Sequence, residues 1–131
     1  LAETNKIISF RDLEIWKKGI VLVKNIYEIT KSFPNSECYG LTSQIRRAAV
    51  SIPSNIAEGH IRGHKAEFRQ FLFIALGSLA ELETQLIIAY ELGYLESIKK
   101  DKHIEEMDIL GKQLRTLISK LIPNPQPLNP K

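Results

Sequence analysis

Cysteine is almost missing from this chain. Cys38 is the only one in 131 residues, which excludes a disulfide framework and any zinc site built on several cysteines. Glycine (7) and proline (6) are scarce as well, so neither a collagen-like nor a broadly disordered chain fits. The longest stretch without a charge runs only from Gln70 to Ala80, about half of the ~20 residues a membrane-spanning helix needs. The opening residues, Leu1-Ala2-Glu3-Thr4-Asn5-Lys6, carry no apolar signal core. These absences leave one globular domain with room for a core. It is expected to be cytoplasmic, with no membrane among its partners.

Sustained two-residue alternation is missing too, and helical periodicity takes its place in four segments. They span about Phe10–Phe33, Tyr39–Glu58, Lys65–Leu92 and Ile98–Leu121. Pro34 stops the first, the stretch Gly59-His60-Ile61-Arg62-Gly63 ends the second, and Gly93 is placed to cap the third. In the third, Phe68, Leu72, Ala75, Leu79, Leu82, Leu86 and Ala89 alternate steps of four and three; Met107, Leu110, Leu114, Leu117 and Leu121 do so in the fourth. This is the seam of helices packed at shallow angles. The expectation is an all-α, antiparallel, up-down-up-down four-helix bundle over residues 10–122. Residues 1–9 are expected to be extended or disordered. Residues 123–131, with four prolines in the eight from Pro123 to Pro130, are expected to form an extended tail. Pro53 falls inside the second segment, where a kink or a break recapped by Ser51 is expected.

Two helices have more apolar surface than one bundle needs. In the first segment Leu13, Trp16, Ile20, Val23 and Tyr27 make one stripe. Ile15, Gly19, Leu22, Ile26, Ile29 and Phe33 make another, about 120° around the helix. In the third segment Phe73 and Leu76 lie outside the seam. A thick monomer core would absorb this excess; self-association is the reading favoured here. Ile15, Leu22, Ile26, Ile29, Phe33, Phe73 and Leu76 are the expected interface, and Ile26→Glu is expected to dissociate the assembly while keeping its helices.

Sites of chemistry are harder to find. A diiron carboxylate bundle needs Glu-x-x-His motifs, and none of His60, His64 and His103 has a glutamate three residues before it. His60 and His64 flank Gly63, a poor start for a metal pair. Gly59–Lys65 has neither the spacing nor the preceding strand of a phosphate-binding loop, and no nucleophile elbow is visible. No enzyme activity, cofactor or metal is expected.

Charge is more suggestive. Net charge is +3, but the balance is 11 Lys/Arg to 7 Asp/Glu through residue 72 and 7 to 8 beyond it. Arg46, Arg47, Arg62, Lys65 and Arg69 are candidates for contact with nucleic-acid phosphates. The plainer alternative pairs Arg46 or Arg47 with Glu81 or Glu83. Little aromatic material is interleaved with these residues in sequence, so no stacking platform for single strands is evident. A polar line of Arg47, Ser51, Asn55 and Glu58, extended to Glu81, reads either as solvated surface or as a buried network fixing register.

The stretches DLEIWKKG (Asp12–Gly19), QIRRAAVSIPSNIAEG (Gln44–Gly59) and FLFIALGSLAELETQL (Phe71–Leu86) resemble the bacterial four-helix bundle family named for the 23S rRNA intervening sequence. The resemblance implies an antiparallel bundle forming a ring-like homopentamer, in a family whose molecular role is generally unassigned. It extends to the accessory proteins of diversity-generating retroelements, which bind nucleic acid through a basic surface. The expected partners are therefore further copies of the chain and RNA or DNA. An oligomeric protein–protein scaffold is the alternative, with its protein partner unidentified.

Overall fold

Ser9 opens the described structure by capping a short 3₁₀ turn, Phe10–Asp12: its hydroxyl accepts from the Arg11 N–H, and the Asp12 carboxylate accepts from the Ser9 N–H. A computed structural model describes residues 9–122 of the chain; the expectations for residues 1–8 and for the proline tail lie outside them. Leu13 turns extended and breaks the turn from α1, Glu14–Thr30. The first helix therefore starts four residues later than periodicity suggests. It also ends three earlier, because the Thr30–Phe33 turn leads into Pro34.

A second 3₁₀ turn, Asn35–Glu37, prepares the start of α2, Leu41–Ile61. The Glu37 carboxylate folds back and accepts from the Leu41 N–H at 3.0 Å, a side-chain cap reinforced by the positive helix end. Gly40 makes room for it, since a Cβ there would lie 2.7 Å from that oxygen. The other carboxylate oxygen accepts from the Tyr94 hydroxyl at 2.9 Å, tying this corner to the turn between α3, Lys65–Glu91, and α4, Ser97–Lys120. Gly93, at φ +84°, closes α3 as expected, and the Tyr94 N–H bonds back to the Ala89 carbonyl.

Contacts between neighbours give the topology. Gly19 of α1 packs on Pro53 of α2, and Arg46 reaches back to Tyr27 and Thr30. Gly59 meets Phe68 and Phe71 near the start of α3, and Ser51 bonds Ser78 further along. Gly111 of α4 lies against Leu76 and Leu79. Successive helices pass in opposite directions, and the chain forms an all-α four-helix bundle with no strand among the described residues. α2 runs unbroken through Pro53, so no recapping at Ser51 occurs. The Gly59–Gly63 stretch is not a loop either: helix continues to Ile61, and only Arg62–His64 connect α2 to α3. Gly59 is needed for contact instead, because a Cβ there would lie 2.5 Å from the Phe71 Cβ.

The expected seams of α3 and α4 form the core, with Leu72, Ala75, Leu82, Leu86, Ala89, Met107, Leu110 and Leu114 essentially inaccessible. In α1 the assignment of the two stripes must be corrected. Ile15, Leu22, Ile26 and Phe33, expected to face another copy, are buried in the chain's own core, and Ile26 is 0% exposed. Ile29 packs against the same core. The cause is Gly19: the stripe that carries it is the one α2 approaches most closely, with Pro53 against the glycine. Ile20 and Tyr27 of the other stripe are the exposed residues. Ile26→Glu would bury a carboxylate in hydrocarbon and unfold the bundle rather than dissociate an assembly.

Candidate nucleic-acid interface

The five candidate basic residues do not form one patch. Arg46 and Arg47 lie in the first half of α2, whereas Arg62, Lys65 and Arg69 surround the α2–α3 connection. From Arg47 to Arg62 is fifteen residues, roughly 22 Å at 1.5 Å per residue.

The second group is largely engaged already. Arg62 bridges to Glu58 at 3.0 Å and to Glu67 at 3.4 Å, and its guanidinium lies over the Phe71 ring. Arg69 lies over Phe73, with its Nε buried and without a hydrogen-bond partner. Lys65 is exposed at the first residue of α3. His60 sits within α2, its ring edge against Phe68, while His64 precedes α3. Among the described residues no three His, Cys, Asp or Glu side chains gather as a metal site.

The first group is built differently. Arg46 is fixed by its Nε donating to the Thr30 hydroxyl at 2.8 Å and by its guanidinium lying 4.5 Å from the Tyr27 ring centre. The Thr30 hydroxyl in turn donates to the Ile26 carbonyl. Pairing of Arg46 or Arg47 with Glu81 or Glu83 does not occur, because Arg46 faces α1 and not α3. Arg47 is exposed and touches no acidic group. Together they border a groove of about 590 Å³ on the outer side of α1 and α2. Tyr27, Cys38, Tyr39, Thr42, Ser43, Val50 and Ser51 line the rest, and no carboxylate is among them. Both tyrosines escaped the reading of the sequence, which looked for aromatics next to basic residues in the chain. Tyr39 is seven residues before Arg46, and Tyr27 belongs to another helix.

The expected polar network breaks into separate pieces. Ser51 and Ser78 share a short hydrogen bond, and the Asn55 amide donates to the Ser51 carbonyl. Glu58 pairs with Arg62 and Glu81 with Gln85, while Arg47 joins none of these. Network coupling fails because Arg47, Glu58 and Glu81 all lie on the solvent side of their helices.

The Glu37–Tyr94 contact is the clearest titrating element. The Leu41 N–H, and after it the Tyr94 hydroxyl, hold the Glu37 carboxyl below its usual range. The same bond, then burial and the carboxylate charge, push the Tyr94 hydroxyl up.

A second surface stands apart from these groups. The outward face of α3 exposes Phe73, Ile74, Ile87 and Ile88, separated by Gly77, Ala80 and Thr84. α3 thus carries apolar side chains outside its inner seam as well as in it. Among the described residues it alone is long and apolar enough by composition to cross a membrane. Its inner seam and this outer face together produce that composition. Phe73 is about half exposed, whereas Leu76 is partly packed into the bundle.

A crystal structure of a protein of unknown function from the S23 ribosomal protein family of Bacteroides thetaiotaomicron superposes with a TM-score of 0.74. The match covers 80% of this chain and 95% of that one at 24% identity, which speaks for the fold alone. No curated protein matches the sequence. The family model described as 23S rRNA-intervening sequence protein matches residues 11–116, most of the bundle. The chain belongs to the 23S rRNA-intervening sequence protein family.

Proposed function

We propose that this protein is a non-enzymatic bundle that assembles with further copies of itself and presents a repeated basic groove to nucleic-acid phosphates. The observation that supports assembly is the outer face of α3, where Phe73, Ile74, Ile87 and Ile88 stand exposed. From Gln70 to Ala80 that helix carries no charge, so a copy packing on Ile74 and Gly77 has no charged residue of this stretch to desolvate, while the Arg69 guanidinium over Phe73 and the exposed Glu81 flank the contact. Gly77 has open space around its Cα, which lets a neighbouring helix approach closely. The family resemblance implies five subunits.

Phosphate binding is supported by Arg47, a fork of donors with no acidic partner. One such contact is weak, but an assembly repeats it, and linked sites multiply in effect. Sedimentation velocity at micromolar concentration tests the first half: the wild type should run as an oligomer and Ile74→Glu as a folded monomer. A monomeric wild type would sink it. For the second half, affinity for RNA or DNA should fall log-linearly with salt. A partner held through apolar contacts alone, as in a protein scaffold, would show little response to salt.

A further inference from the structure

We infer that the α1–α2 groove takes an unpaired nucleotide, its base stacked on Tyr39 and its phosphate held by Arg47 with the free edge of Arg46. The nucleic acid this protein binds is therefore single-stranded at the point of contact. The inference rests on the phosphate-binding reading above and adds to it the class of ligand.

Tyr39 is the starting point. At 97% exposed, it is the most solvent-accessible large apolar side chain of the described residues. It lies in a defined turn, between the 3₁₀ turn that ends at Glu37 and the start of α2, and makes no ring contact or side-chain hydrogen bond. Leaving both faces of a phenol ring in water wastes apolar surface. Tyr27 is used otherwise, since the Arg46 guanidinium covers its ring. Tyr39 is thus the free platform of the groove.

The charged partners are prepared for a phosphate. Arg46 is held by Thr30 and Tyr27 before any ligand arrives, so little side-chain freedom remains to be lost on binding. The Thr42 hydroxyl beneath the groove is buried with no hydrogen-bond partner. No lining carboxylate opposes an anion, in contrast to Arg62, which Glu58 and Glu67 already neutralise. A volume of about 590 Å³ lies within the 300–1,000 Å³ usual for small-ligand sites. A duplex offers phosphates but keeps its base faces stacked internally, so Tyr39 would gain nothing from it. An unpaired strand offers both.

The test is fluorescence anisotropy at low salt with a labelled, non-self-complementary RNA dodecamer and, separately, the same sequence as a duplex. The full chain would be compared with Tyr39→Ala, Tyr39→Phe and Arg47→Ala. Both side chains are exposed, so the variants should keep the wild-type melting curve. The single strand should bind tighter than the duplex. Tyr39→Ala should weaken single-strand binding about 5- to 150-fold, the effect of losing one base–aromatic stack, and leave duplex binding unchanged. Tyr39→Phe should bind like the wild type, and Arg47→Ala should lower the salt slope by about 0.7. Equal affinity for both forms with no effect of Tyr39→Ala would overturn the inference while leaving phosphate binding intact. Failure of both forms to bind at low salt would overturn this inference and the phosphate-binding reading together.

Discussion

Ile26 and Ile74 separate the core from the outer surface. Ile26 is fully buried between α1 and its neighbours, and Ile74 is about half exposed on α3. Ile26→Ala removes three carbons beyond Cβ, about 2.4 kcal/mol of transfer free energy at ~0.8 per methylene, and the cavity left behind brings the loss to about 3.5 kcal/mol. For 131 residues the unfolding entropy is about 0.28 kcal/mol/K, so the melting temperature should fall by about 12 °C. Ile74→Glu should cost the protomer itself only about 0.5 kcal/mol. Concentration dependence reveals the other difference, because assembly stabilises the folded state by mass action. The wild-type and Ile26→Ala midpoints should rise with protein concentration, and that of Ile74→Glu should not. Thermal denaturation over a hundredfold dilution series, paired with sedimentation velocity, reads both. If Ile26→Ala melted like the wild type yet ran as a monomer, the assignment of the α1 stripes would be refuted.

Three further outcomes follow from individual contacts. Gly59→Ala should destabilise the bundle by about 1–3 kcal/mol through overpacking against Phe71, whereas Gly77→Ala, with nothing within 4 Å, should stabilise the protomer by about 1 kcal/mol through helix propensity; urea midpoints check the opposite signs. The folded-state pKa of Glu37 is depressed, so its contribution is present above the ordinary carboxylate range and lost as pH falls through the folded value. Glu37→Gln should accordingly flatten part of the decline in denaturation midpoint below that range. Thr30→Val removes the acceptor for the Arg46 Nε; a loss of about 1–2 kcal/mol in stability is expected, with weaker RNA binding by anisotropy as Arg46 loses its anchor.

The bundle was legible in the sequence because buried seams repeat at helical spacing. Leu72, Ala75, Leu79, Leu82, Leu86 and Ala89 needed no more than that. The orientation of α1 was misread because two stripes of similar hydropathy cannot be ranked by apolarity. Gly19 held the missing signal, since a glycine within an apolar stripe marks where a neighbouring helix comes close. Gly59 was misread for a related reason: glycine counts as a breaker in a sequence, but here it serves helix contact. Of the site, Arg46 and Arg47 were visible as a basic pair, yet their different fates were not. One is fixed by α1 and the other is free, a distinction set by about 100° of helix rotation.

That division also leaves room for the proposed assembly and the proposed ligand binding on so small a chain. The apolar face lies on α3 alone, while the lining of the groove comes from α1, α2 and the turn between them. A copy seated on the outer face of α3 need not cover Tyr39 or Arg47. Each added subunit then contributes one open groove, and an extended strand can cross several of them. Binding should therefore depend on strand length: a strand long enough to reach two grooves should gain far more than twofold in affinity, whereas Ile74→Glu protomers should bind long and short strands nearly alike. Anisotropy with RNA strands of increasing length, read for both proteins, checks this. Equal length dependence in the monomeric variant would mean that assembly and binding are not coupled through repeated grooves.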